Sequence, residues 1–313
     1  MVDSKHKWKA WLYLSPALVL LAVFTVYPII NTIRLAFLED YGMMKAISGV
    51  TFEFGFGNFE KVVEYRNFLT CLKNTVLLCV LTVPISTILA LLIAVTLNSI
   101  GPLRRFLQTI YFLPYVTNSI AIGMVFAAMF NIVGNVSAEP PLITTAGIIN
   151  NFLGIFGIEP INWINVGSSY WANMTVMIIY IVWNALPFKI LILLGGLQGI
   201  NKQYYDAAKV DGTSRGRTLW KITVPLLSPM LAYVVITGFM GGFKEYSSVV
   251  GIFGETMGPP GNKGAMNTIV GFIYQSLEGQ HQGRASAAAI ILFAIIMAVT
   301  LINLQVSKKK VHY

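Results

Sequence analysis

Asp206 and Asp211 are the only acids among five basic residues in the stretch NKQYYDAAKVDGTSRGRTLWKITVPLLSP, residues 201–229. The stretch has helix punctuation at both ends. Asn201 offers a side-chain oxygen to the free amides of a helix start, and Gly212 supplies the left-handed stop that a β-carbon would penalise. The helix between them runs about 9 or 10 residues, too short to cross a bilayer core about 30 Å thick. Ala207 and Ala208 form a small pair that lets another surface approach closely. The spacing predicts a short helix built to be held by something. Three further ionisable residues, Lys189, Lys244 and Glu245, stand in or at the end of apolar stretches, where ionisable groups are functional candidates by default. Lys189 lies about ten residues before the end of its stretch, within reach of the interface by extending its stem.

Other reactive residue types form no constellation. His6, His281 and His312 are scattered without metal-ligand spacing, and Cys71 and Cys79 share one apolar stretch, as small buried residues do. No Gly-Lys dipeptide occurs, so the chain lacks a phosphate loop whose amides and lysine would hold a nucleotide. GPPGNKGAM at 258–266 has the wrong spacing and reads as a Gly/Pro-rich loop.

The elements that position these residues follow from composition. Of 313 residues, 56% are hydrophobic and 11% charged, and mean hydropathy is +0.68. Soluble domains carry roughly 25% charged residues, so lipid is the solvent for much of this chain. Six windows free of Asp, Glu, Lys and Arg are long enough to span: 10–33, 74–103, 106–138, 160–188, 222–243 and 285–307. The fourth is expected to start near Tyr170 and to run past Lys189 to Gly199, because Asn162, Asn165, Gly167 and Ser168 suit a loop. The expected spans are 10–35, 72–98, 105–133, 170–199, 222–243 and 284–307, with the short helix between the fourth and fifth. This predicts an all-α membrane protein of one domain, residues 1–313.

With six spans and the N-terminus inside, the inner segments hold thirteen Lys and Arg against three acids, Asp3, Asp206 and Asp211. They net +10 and the rest −1, so the whole excess of +9 lies inside, as positive charge requires. Both termini are then cytoplasmic. Residues 140–158 are charge-free, but Pro140, Pro141, Gly147, Asn150, Asn151, Gly154 and Gly157 suit a loop outside lipid or partly re-entrant. The first window follows a basic start but lacks a small-residue cleavage site and carries Tyr27 and Pro28, so it reads as a retained anchor rather than a signal peptide.

DAAKVDGT, followed by Ile222, Pro225 and Leu226, resembles the EAA motif of ATP-binding-cassette importer permeases. The match holds at Ala207, Ala208, Asp211, Gly212, Ile222 and Pro225. It departs at Asp206, where the motif has Glu, and at Val224, where it has Leu. SPALVLLAVFTVYP at 15–28, GNFEKVVEYRNFLTCLKNT at 57–75 and LRRFLQTIYFLP at 103–114 resemble the subgroup that imports sugars and oligosaccharides. AGIINNFLGIFGIEPINW at 146–163 resembles the larger partner of the permease pair in such transporters.

The resemblance implies a membrane permease of a prokaryotic cell membrane that is not itself an enzyme. It would work with a second, different permease, two cytoplasmic ATPase subunits that bind ATP and Mg, and an extracytoplasmic solute-binding protein. Tyr205, Asp206, Ala207, Ala208, Asp211, Gly212 and Pro225 would couple it to the ATPase, with Asp206 as acidic contact, the alanines as packing surface and Gly212 as turn. Pro225 and Pro229 are expected to bend the fifth span where it enters the membrane. Sugars stack their C–H faces on rings while their hydroxyls need donors and acceptors. Trp183, Asn184, Phe188 and Lys189, with Phe243, Lys244, Glu245 and Tyr246, are therefore expected to line the solute path, and Gly238, Gly241 and Gly242 to leave room. Tyr111, Tyr115 and Asn118 are weaker candidates. An ion-gradient-driven secondary transporter is the competing reading. Against it stand six spans, no internal repeat and a coupling-type loop that a stand-alone carrier does not need.

Overall fold

The computed structural model describes residues 7–100, 104–135 and 142–310. Asp3, His6, Pro140, Pro141 and His312, used in the reading above, lie outside the described residues. The chain forms two compact units, one of residues up to Phe68 with Phe272–Phe293, the other of Leu69–Gly271 with Ala294 onward.

Among the described residues, four helices are long and apolar enough to cross a membrane: Trp8–Phe37, Arg66–Ser99, Tyr170–Gly199 and Gln282–Lys308. Two bent helix pairs pass the same test when each pair is taken as one span, Phe106–Val116 with Ser119–Phe130 at 98° and Arg215–Leu226 with Ser228–Gly242 at 71°, and they are numbered the third and fifth. The third and fifth windows therefore hold broken helices rather than straight ones. In the third, Thr117 ends the first half and Asn118 starts the second, its Oδ1 accepting from the amides of Ile120 and Ala121 at 2.9 and 3.2 Å. In the fifth, the bend falls at Leu227, between Pro225 and Pro229.

Two π-helical turns share a cause. Tyr27 donates to Ala22 O just before Pro28, and Val224 donates to Leu219 O just before Pro225. A proline cannot donate to the carbonyl four residues back and its ring crowds it, so the preceding turn widens to an i→i−5 bond.

In the larger unit, buried residues of the second span recur every three or four positions, from Cys71 through Asn74, Leu78, Thr82, Ser86, Ala90 and Ala94 to Leu97. That is one helical stripe. Two apolar clusters form along it. One joins Leu78 to Phe130, Met174, Met177, Tyr180, Val249 and Ile252. The other joins Ala90, Ala94 and Leu97 to Ile190, Leu193, Leu194, Leu227 and Val234. Small residues at such seams let helices approach closely, which matters in lipid, where apolar burial alone favours no partner.

The segment after the third span, where a loop is expected over 140–158, holds a short hairpin. Strands β1 (Ile132–Asn135) and β2 (Leu142–Ala146) pair antiparallel, and the helix Ile148–Gly154 follows. Asparagines organise the rest of this loop. The buried Asn150 accepts from Ile161 N and Trp163 Nε1 and donates to Ile161 O, while Asn165 bonds both backbone groups of Ile132. The helix Ser247–Phe253, unpredicted from sequence, crosses Ser119–Phe130 so closely that a β-carbon on Gly123 would sit 2.7 Å from Gly251 Cα.

In the smaller unit, Phe37 at the end of the first span packs on Phe54, Phe56 and Phe59. Buried Asn58 donates to Ala36 O and Leu38 O at 3.0 and 2.7 Å, closing the chain after the span.

Candidate functional site

Residues of the second to fifth spans, with Glu245 just past the fifth, line a half-open cavity of about 410 Å³. Along the second and fourth spans, its lining residues run over 82–86 and 181–189, where one apolar cluster gives way to the other at Ile181. Of the residues expected on the solute path, Asn184, Phe188, Lys189, Gly238, Gly242 and Glu245 line it, with Gly241 and Tyr115. Asn184 and Phe188 are four apart and share a face of the fourth span. Trp183, one residue and about 100° away, packs instead on Phe126 with ring centroids 5.2 Å apart.

Phe243, Lys244 and Tyr246 do not line the cavity. Phe243 is buried, Lys244 is exposed, and Tyr246 packs against the cluster around Tyr180. The chain leaves the helix at Gly242, so consecutive residues there point in unrelated directions. Tyr111 lies outside the lining, and Asn118 is occupied as a cap.

Lys189 is 5% exposed. Its Nζ donates to Ser86 Oγ at 2.7 Å, Thr87 Oγ1 at 3.0 Å and Val83 O at 3.2 Å. It therefore stays at depth, held by the second span, and does not extend to the interface. Gly238 permits this approach, since a β-carbon there would sit 3.1 Å from Val83 Cγ1 and 3.3 Å from Lys189 Nζ. At Gly242 a β-carbon would meet Cys79 Sγ at 2.8 Å. These glycines bring the fifth span against the second as well as leaving space.

Glu245 caps the helix Ser247–Phe253. Its Oε1 accepts from Ser248 N at 3.1 Å and Ser248 Oγ at 2.7 Å, and its backbone O accepts from Thr268 Oγ1 at 2.7 Å. Tyr115 and Phe188 stack with centroids 5.9 Å apart and planes 17° apart, giving the lining an aromatic surface. The break in the third span opens here, with Thr117 and Ser119 in the wall. Non-helical backbone at depth is tolerated where it lines a cavity.

Sequence reasoning missed the hydroxyls in this wall, Thr82, Ser86, Thr117, Ser119 and Thr237. A signal existed in the second window, where Thr82, Ser86 and Thr87 fall in an otherwise apolar run.

The second candidate feature is the helix Lys202–Val210. Asn201 caps it, its side chain accepting from Gln203 N at 3.0 Å. At the other end Gly212 has φ +64°, with Thr213 N donating to Ala208 O at 2.9 Å and Gly212 N to Lys209 O at 3.1 Å. Those two bonds are the paired closure of a left-handed helix stop.

The helix turns its faces differently from the expectation for the alanine pair. Ala208 is 5% exposed and faces its own chain, and Tyr205 joins it there with its hydroxyl 3.3 Å from Thr223 Oγ1. Together with Val95, Asn98, Leu197 and Gly212 they line a space of about 820 Å³. Gln203, Asp206, Ala207 and Val210, spaced three, one and three apart, form the outward face. Val210 is 88% exposed, and Asp206 pairs with Lys209 at 3.0 Å on the surface. Asp211 is exposed at the helix end, and Pro225 lies two residues before the bend at Leu227 in the fifth span.

The family model for the inner membrane component of binding-protein-dependent transport systems matches residues 82–312. The lactose transport system permease protein LacF of Rhizobium radiobacter is 30% identical over 298 residues, covering 94% of this chain and 91% of that protein. The arabinooligosaccharides transport system permease protein AraP of Halalkalibacterium halodurans is 29% identical over 306 residues, covering 97% and 89%. Among solved structures, a chain of a bacterial ABC transporter involved in import of the acidic polysaccharide alginate matches with TM-score 0.77 and 20% identity, over 98% of this chain and 97% of that one. That likeness is one of fold.

Proposed function

The chain belongs to the family of inner membrane components of binding-protein-dependent transport systems, and from that premise we propose that it is the permease subunit of an ATP-binding-cassette importer for a sugar or oligosaccharide. The whole of residues 1–313 serves as one transmembrane permease domain with both termini cytoplasmic.

The observation that carries the reading is the helix Lys202–Val210, capped by Asn201, stopped by Gly212 and seated on its own chain by Tyr205 and Ala208. A short helix closed at both ends is rigid, and its outward face is free to dock. Asp206, Ala207 and Val210 occupy a cleft of a cytoplasmic ATPase subunit. Closure of two such subunits around ATP and Mg pushes this helix. The push passes through Gly212 and Asp211 to Pro225 and the bend at Leu227, and the spans rock between inward-open and outward-open states.

The cavity takes the solute. Tyr115 and Phe188 offer a ring surface, and Asn184, Glu245 and the wall hydroxyls offer polar partners, the mixture that saccharides need. An extracytoplasmic solute-binding protein delivers the solute, and a second, different permease completes the path.

The test is uptake into proteoliposomes holding this chain with a second permease, the ATPase and the binding protein, screened against neutral and acidic sugars. Uptake that needs both ATP and the binding protein, and that Gly212→Asp and Ala207→Arg abolish together with solute-stimulated ATP hydrolysis, supports the reading. Uptake by this chain alone, indifferent to ATP and abolished by an ionophore, replaces it with a secondary carrier.

A further inference from the structure

Resting on the transport reading above, we infer that the cavity accepts an uncharged saccharide and that Glu245 sets its preference against acidic ones. Two residues in the lining carry charge, Lys189 and Glu245. An ammonium has three protons to give, and Lys189 places all three on its own chain, at Ser86 Oγ, Thr87 Oγ1 and Val83 O. No proton of that cation is left for an anionic solute. Glu245 uses Oε1 on Ser248. Among the described residues its Oε2 has no hydrogen bond, so the charged atom left for a solute is a carboxylate oxygen.

Four hydroxyls of the wall point the same way, while Asn184 adds an amide that both donates and accepts. Thr82 donates to Leu78 O, Ser86 to Thr82 O, Thr117 to Leu113 O and Thr237 to Tyr233 O. Each hydroxyl has spent its proton on the carbonyl four residues back and is left with lone pairs alone, one of which at Ser86 already accepts from Lys189. An acceptor-rich wall suits a solute rich in O–H donors. A carboxylate, phosphate or sulfate brings acceptors only. At membrane depth it would lose its water without gaining a free cationic donor.

The experiment measures equilibrium binding to the assembled complex without its binding protein, so that this cavity alone is read. The probes are maltose and lactose and their hexuronate analogues, in the wild type and in Glu245→Gln, whose Oε1 can still accept from Ser248 N. We expect the wild type to bind an acidic analogue roughly 10- to 100-fold more weakly than its neutral parent, a like-charge penalty, and Glu245→Gln to narrow the gap to within about threefold. An acidic analogue bound as tightly as its parent by the wild type overturns the inference and leaves the transport reading standing. So does an unchanged gap in Glu245→Gln. Should that variant not assemble, the wild-type comparison decides. A complex that neither binds nor imports any saccharide overturns both.

Discussion

Lys189 Nζ meets Ser86 Oγ at 2.7 Å, joining the fourth span to the second through a cation that has no carboxylate partner among the described residues. Ser86 accepts that bond while passing its own proton to Thr82 O. Ser86→Ala leaves a buried ammonium one acceptor short and is expected to cost about 1.5–3 kcal/mol. In a Lys189→Met background the same change is expected to cost under about 0.5 kcal/mol, because the serine then serves only its own helix. Thermal unfolding of the four detergent-purified proteins checks this. Additive effects would show that the bond ties nothing together.

The two alanines of the loop helix are expected to part company. Ala207 is exposed, so Ala207→Arg should change the stability of the isolated chain by less than about 0.5 kcal/mol. In the assembled complex it should lower solute-stimulated ATP hydrolysis by about tenfold or more, roughly 1.4 kcal/mol of lost coupling. Ala208 is buried against its own chain, so Ala208→Arg should already destabilise the isolated chain, by about 1–3 kcal/mol. Paired unfolding and ATPase measurements separate the two.

Gly212 sits at φ +64° with open space around its missing side chain. The cost of Gly212→Ala is therefore conformational rather than steric, about 1–2 kcal/mol, and Gly212→Asn should recover much of it because Asn tolerates this region. Amide exchange in residues 202–210 is the readout, expected to quicken in Ala and to stay near wild type in Asn.

Gly123 and Gly251 cross backbone against backbone. Neither chain has a flexible side-chain end to move aside, so Gly251→Ala should cost about 1–3 kcal/mol. Lower yield of monodisperse protein and a lower unfolding midpoint are the expected signs, while Gly154→Ala, in open space, should show neither.

Asp40 lies outside the spans, where its hydrogen bond and attraction to Lys61 hold its carboxyl below the ordinary value of 3.8. A depressed folded value stabilises the fold above the unfolded value, and that stabilisation drains away as pH falls below 3.8 through the folded value. Both side chains are more than half exposed, so the effect is modest and salt-sensitive. Lys61→Met is expected to flatten the acid limb of a stability profile taken between pH 5 and 2.5.

Much of this protein follows from one-dimensional arithmetic. Crossing lipid requires about 20 apolar residues in a helix, so charge-free windows locate spans almost without ambiguity. The fourth, expected at 170–199, is Tyr170–Gly199. The loop helix is equally local, because Asn201 and Gly212 act on amides and carbonyls within a few residues of themselves. What a single window cannot hold is direction. Whether a proline and an asparagine bend a span by 98° or leave it straight depends on what fills the far side. The hairpin of β1 and β2 exists only through cross-strand pairing, and the helix Ser247–Phe253 is only seven residues long and is held by its crossing at Gly123.

The candidate site divides in the same way. Residue type marked Lys189 and Glu245, because ionisable groups are rare and costly at membrane depth, and the ring-and-amide chemistry that a sugar needs marked Asn184 and Phe188. Only the packed spans decided that Trp183 turns to Phe126, that Ala208 faces inward, and that Lys189 gives its protons to the second span. A side chain's partner is set by the rotation and crossing of two helices far apart in the chain, and helix period alone leaves both free.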